Sequence, residues 1–198
     1  EAVSVFRECL EVRQRVLGRE HPSTLTTMSY LALALNKAGE HREAVSVGRE
    51  CLEVQQRVQG REHPDTLTTM HILALALDDA GEHREAVSVG RECLEVEQRV
   101  QGKEHPDTLT TMSNLASALR NAGEHREAVS VGRECLEVRQ RVLGKEHSDT
   151  LITMHNLASA LYNAGEHREA VSVGQERLEV LQRVLGMEDP DTLTTMSK

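Results

Sequence analysis

The stretch HPDTLTTMHILALALDDAG, His63 to Gly81, decides the fold. Leu67, Met70, Leu73, Ala74, Leu77 and Ala80 recur with the 3.6-residue period of a helix that buries one broad face. Pro64 suits a first helical turn, where its missing N–H would have no partner in any case. Gly81 supplies the left-handed residue that ends such a helix. Directly after it, Ala86, Val89, Gly90, Cys93, Val96 and Val100 form a second apolar stripe, widened by Val87 and Leu94. This second helix runs from about His83 to Gln101 and stops before Gly102.

The same two patterns recur along the chain. Ala2, Ala44, Ala86, Ala128 and Ala170 are spaced by 42 residues, as are Gly18, Gly60, Gly102, Gly144 and Gly186. A fixed period of this size marks a stacked repeat architecture. Calling the first helix A and the second helix B, residues 1–198 form a single array. Residues 1–17 are a helix B alone, and 22–59, 64–101, 106–143 and 148–185 are helix A/helix B pairs. Residues 190–198 are a truncated helix A. No β pattern interrupts it, so the expected fold is an all-α solenoid of antiparallel helix pairs. The array opens within a helix B and closes within a helix A, so its two ends are expected to show faces that normally meet another repeat.

Composition narrows the function classes. The 198 residues carry a net charge of −9, against the basic patch of a nucleic-acid binder. The longest apolar run, Ile72 to Leu77, is far short of a membrane span, which needs roughly 18 apolar residues. The four cysteines form no CxxC pair, which suits a reducing, cytoplasmic setting. His63 and His83 stand at opposite ends of a helix A, about 25 Å apart, too far to share a metal. Asp189 replaces the first of these histidines in the fifth unit, as an N-cap role predicts. Cys51 and its copies lie on the buried stripe and read as small core residues. No nucleotide-binding, zinc-protease or nucleophile-elbow pattern occurs, and neither catalytic residues, metal nor cofactor are expected. Mid-helix Gly48, Gly90, Gly132 and Gly174 read as sites of close approach between neighbouring helices, with a hinge as the alternative. Arg91, Glu95 and Arg99, spaced by four, read as a solvated ladder along one helix.

The array resembles the tetratricopeptide repeat family over its whole length. Met28 takes the place of the large residue opening helix A, Ala32 the small one and Leu35 the usual tyrosine. Ala44 and Cys51 take the helix-B alanine pair. The aromatic between them is Phe6 in the first unit and glycine afterwards. The 42-residue unit, the LGxEHP turn and the NLA of Asn114–Ala116 and Asn156–Ala158 are similar to kinesin light chain repeats. The resemblance implies a right-handed superhelix and a non-catalytic scaffold that binds a protein or peptide segment in a groove lined by the helices A.

Differences between the copies of helix A bear on that groove. They fall at Ser29, His71, Ser113 and His155; at Tyr30, Ile72, Asn114 and Asn156; and at Leu33, Leu75, Ser117 and Ser159. They fall again at Asn36, Asp78, Arg120 and Tyr162, and at Lys37, Asp79, Asn121 and Asn163. With Ile152, a single change from threonine, these positions cover an arc of roughly 120° on each helix. This stripe is the candidate ligand face, apolar in the first two units and polar in the next two. Asp78 and Asp79 form an acidic spot, and Arg120 a basic one. The resemblance matches Asn114 and Asn156 to an asparagine that hydrogen-bonds a bound peptide backbone. Lys37 is the only lysine on the stripe, which disfavours the family's carboxylate clamp. On helix B, Arg13, Gln55, Glu97, Arg139 and Leu181 vary at one position read as outward-facing, whereas Glu53, Gln56 and Arg57 recur in all five copies. The alternatives are end-to-end self-association through the array's ends and a freshly duplicated or engineered array without a selected ligand.

Overall fold

A computed structural model describes residues 1–184. The truncated helix A of 190–198 and the Asp189 cap lie outside the described residues. Among the described residues there are nine helices and no strand. The chain divides into two compact units, Glu1–Gly102 and Lys103–Lys198. The first holds α1 (Ala2–Leu17), α2 (Pro22–Lys37), α3 (His41–Val58), α4 (Pro64–Asp79) and α5 (His83–Val100). The second holds α6 (Pro106–Asn121), α7 (His125–Val142), α8 (Ser148–Asn163) and α9 (His167–Val184).

Each helix A starts and stops through its own side chains. His63 Nδ1 accepts the Asp65 N–H at 3.1 Å, and His21, His105 and His147 cap α2, α6 and α8 in the same way. The capping reading of these histidines therefore holds in every described copy. At the other end Gly81 has φ +83°, and the next amide, of Glu82, donates to the Leu77 carbonyl at 2.8 Å. That is the glycine-terminated cap in which the turn amides satisfy the last carbonyls.

Packing follows the two stripes. In the first unit Leu25, Met28 and Cys51 pack with Leu10, Val47 and Val54, and Leu67, Met70, Cys93 and Val96 with Leu52 and Val89. In the second, Leu151, Met154, Val180 and Leu181 pack with Leu136 and Val173. Thus α2, α4 and α8 each lie between their own helix B and the preceding one. Full burial of such a side chain is worth about 2 kcal/mol. The mid-helix glycines make this spacing workable: a Cβ on Gly48 would stand 3.3 Å from Leu73 Cδ1, and one on Gly132 3.3 Å from Leu157 Cδ1. Phe6, at the same register in α1, instead stacks on Tyr30 with ring centroids 6.1 Å apart.

Two sequence expectations are corrected. The first is the charge ladder along helix B, because these arginines reach other elements. Arg49 bridges Glu82 at 2.8 Å and Glu85 at 2.7 Å, at the start of the next helix B, while Arg99 reaches Glu62 in the turn before α4 at 2.6 Å. Arg7 and Arg133 repeat the first clasp. The second correction concerns the helix-B position read as outward-facing. Gln55, Glu97, Arg139 and Leu181 are all buried. Arg13 and Arg139 show why: each guanidinium reaches under the next helix A. Arg13 donates to the Ser23 carbonyl and Thr27 Oγ1, and Arg139 to the Asp149 carbonyl and Thr153 Oγ1. The variation at this position therefore occurs inside the repeat junction and not on an exposed face.

Candidate functional site

The candidate stripe is three different environments rather than one surface. One edge turns toward helix B. Ser29 is buried, with Oγ 2.6 Å from Thr69 Oγ1, 3.4 Å from Cys51 Sγ and 3.2 Å from the Leu25 carbonyl. Ser113 is buried as well, and the half-buried His71 has Nδ1 3.9 Å from a carboxylate oxygen of buried Glu97. Ser29 and Ser113 are thus removed from the ligand face, and His71 is turned toward the junction. The positions two turns on are anchored too. His41 Nδ1 lies 2.8 Å from Asn36 Oδ1, His83 Nδ1 2.7 Å from Asp78 Oδ1, and Tyr162 meets the edge of the His167 ring. Each of these is held by the first residue of its own helix B.

The opposite edge turns toward the preceding repeat. Tyr30 stacks on Phe6, and Asn156 Nδ2 donates to Ser113 Oγ at 3.4 Å. At the same register Ile72 is buried, a further correction to the expected face. Asn114, at this register in α6, is only partly buried.

What remains open is the middle of the stripe and its C-terminal tip. In the first unit these are Leu33, Leu75, Lys37 and Asp79, with Tyr30 beside them. Asp79 also accepts from Asn36 Nδ2 at 2.8 Å, so the acidic spot is Asp79, not the enclosed Asp78. In the second unit they are Ser117, Asn121, Ser159, Asn163 and the 65% exposed Tyr162. Arg120 folds back, with Nη2 3.3 Å from both Ser117 Oγ and Asn121 Oδ1. The half-buried His155 lines a cavity of about 640 Å³ between α8 and α9. Spacing along the sequence placed all these residues on one arc. It could not show which edge of that arc the next helix covers.

The cysteines are free, and those at positions 51, 93 and 135 are fully buried. Cys51 Sγ donates to the Leu25 carbonyl at 3.3 Å and Cys135 Sγ to that of Leu109 at 3.4 Å. Arg177 takes over this bond in the last described helix, its Nε reaching the Leu151 carbonyl at 3.1 Å. Burial pushes the Cys51 and Cys135 thiols above their ordinary range. Among the described residues no group of three His, Cys, Asp or Glu side chains is placed to hold a metal, and no helix is long and apolar enough to cross a membrane.

Comparison with known proteins agrees with this architecture. The tetratricopeptide repeat profile matches residues 1–56, 30–97, 81–141 and 107–183. A putative kinesin light chain from Podosopora anserina, built of nearly identical TPR-like repeats, is 27% identical with a TM-score of 0.82, covering 92% of this chain and 87% of its own. A point variant of that protein, also 27% identical, gives a TM-score of 0.84 over 91% of this chain and 85% of its own. BtubC (BKLC) from P. vanneervenii, at 22% identity, shares the fold with a TM-score of 0.80 over 99% of this chain and 79% of that one. No curated protein matches. Helix pairing, caps and family profile agree along the described array, and the chain belongs to the tetratricopeptide repeat family.

Proposed function

We propose that the open middle of the helix-A stripe binds a segment of a partner protein, without catalysis. Tetratricopeptide repeats mediate protein–protein interaction. The observation that carries the assignment to this face is the set of large side chains left exposed on it. In the first unit Tyr30 and Leu75, and separately in the second Tyr162, stand out from helices whose other large apolar residues are mostly buried. Exposed aromatic and aliphatic side chains of this kind characterise recognition surfaces. The first unit offers Leu33 and Leu75 beside Asp79, which suits apolar side chains next to a basic one. The second offers Asn114, Ser117 and Ser159, which suits a polar stretch and its backbone.

The experiment is a peptide-library selection on the purified chain, followed by titration of the selected peptide against variants. Leu75→Asp and Asp79→Lys are expected to weaken a peptide held by the first unit. Asn114→Ala with Ser117→Ala is expected to weaken one held by the second. Binding unchanged by both sets would remove the stripe as the site. End-to-end self-association through the array's ends is the competing reading. Light scattering across a concentration series separates them: a mass that grows with concentration supports assembly, and a constant monomer mass supports the stripe.

A further inference from the structure

The first unit carries a pair of opposite charges at the open tip of its stripe, and a chain of hydrogen bonds fixes one of them. Lys37 ends α2 and Asp79 ends α4, at the same register one repeat later, and both are exposed. Asp79 Oδ2 accepts from Asn36 Nδ2 at 2.8 Å, and Asn36 Oδ1 lies 2.8 Å from His41 Nδ1. His41, the first residue of α3, thus holds the Asn36 amide, and that amide holds one oxygen of the Asp79 carboxylate. The other oxygen is left for a ligand. Because the partner of Asp79 is a neutral amide and not Lys37, both charges stand uncancelled at the tip.

The second unit repeats the frame without the charges. Asn121 and Asn163 stand at the register of Lys37 and Asp79, and Arg120 turns back on Ser117 and Asn121. The charged pair therefore belongs to the first unit's own residues and not to the repeat. One turn back along each helix, about 5–6 Å away, are the half-buried Leu33 and the exposed Leu75. The two helices touch along this face, with Ser29 Oγ 2.6 Å from Thr69 Oγ1. The first unit so presents an apolar row beside a row of opposite charges.

We infer that the first unit recognises an extended segment of the order acidic, apolar, basic, or the reverse, an inference that rests on the stripe being a binding face. Side chains alternate along an extended chain. In a strand laid edge-on across α2 and α4, the outer two of three residues point to the tip and the middle one to Leu33 and Leu75. The acidic residue meets Lys37 and the basic one Asp79. Residues two apart in a strand are about 6.6 Å from each other, and packed helices about 8–10 Å. The long side chains of glutamate and lysine span that difference. Reversing the order of the segment reverses only its direction, whereas two like charges set one of them against its own sign.

The test titrates the synthetic peptide Gly-Ser-Glu-Leu-Lys-Ser-Gly, and its Lys-Leu-Lys and Glu-Leu-Glu forms, into the isotope-labelled full chain, followed by NMR. The mixed peptide is expected to shift the amides around Lys37 and Asp79. It should bind about two- to fivefold tighter than either like-charged form, the range set by exposed ion pairs. Asp79→Lys is expected to turn the preference to Glu-Leu-Glu, and Lys37→Asp to Lys-Leu-Lys. Both side chains are exposed, so the circular dichroism of these variants is expected to match the parent. Asn36→Ala, which releases Asp79, is expected to narrow the preference for the mixed peptide and leave Glu-Leu-Glu binding unchanged, which a damaged helix would not do. A preference that fails to follow the signs at positions 37 and 79 would overturn the inference, as would the absence of shifts on α2 and α4. Binding lost with Leu75→Asp yet indifferent to peptide charge would overturn it while leaving the stripe as the site.

Discussion

At the scale of single residues, the least expected position is the one under the next helix A. Arginine there finds a carbonyl and a threonine hydroxyl, and leucine at 181 is simply buried. Gln55 is fully buried with neither end of its amide paired. An unpaired buried amide costs roughly 1–3 kcal/mol. Gln55→Leu is therefore expected to raise the urea midpoint of unfolding at unchanged slope, with a gain on the order of 1 kcal/mol. The buried thiols give a second prediction. Burial raises the pKa of Cys51 and Cys135 in the fold, so the protonated form is the one the fold favours. Stability from this source is full below the ordinary thiol range, about pH 8.5, and is lost as pH rises through the higher folded value. Iodoacetamide at about pH 8, near the ordinary thiol range, is expected to label the half-exposed Cys9 first. Cys51 and Cys135 should react only at the rate of opening.

At the scale of elements, glycine has two opposite roles in the same helix register. Gly48 lets α4 approach, and any side chain there meets Leu73. Gly48→Leu is expected to destabilise by about 1–3 kcal/mol through overpacking. Gly174 meets nothing, so Gly174→Ala is expected to stabilise by roughly 0.5–1 kcal/mol through helix propensity alone. Thermal melts of the two variants check the sign of each. The Arg–Glu clasps are half-exposed, so each is worth less than about 1 kcal/mol. Arg49→Gln, which copies the residue at 175, is expected to lower the melting temperature by a few degrees at most. Its effect should shrink as salt is added.

At the scale of the whole molecule, the 42-residue period set the helix pairing and the caps, because each of these depends on residues close in sequence. The groove was legible only in outline. A helical wheel placed Ser29, Leu33 and Lys37 on one arc, yet Ser29 bonds Thr69 in the next helix A, and Lys37 is exposed. Asp78 and Asp79 are adjacent in sequence, but His83 encloses the first and leaves the second open. The reading of Gln55 and its copies as outward-facing failed for the same reason. The wheel marks a direction, and only the neighbouring repeat decides whether that direction ends in water.

Membership of the tetratricopeptide repeat family was written in local signals, because hydrophobic period, caps and glycine stops each act within one or two helical turns and recur along the chain. Contacts between repeats settled the rest: which variable residues stand open, and which of them lock one repeat to the next. Those outcomes depend on helices about one repeat apart, where a side chain's surroundings are set by the neighbouring helix rather than by its own.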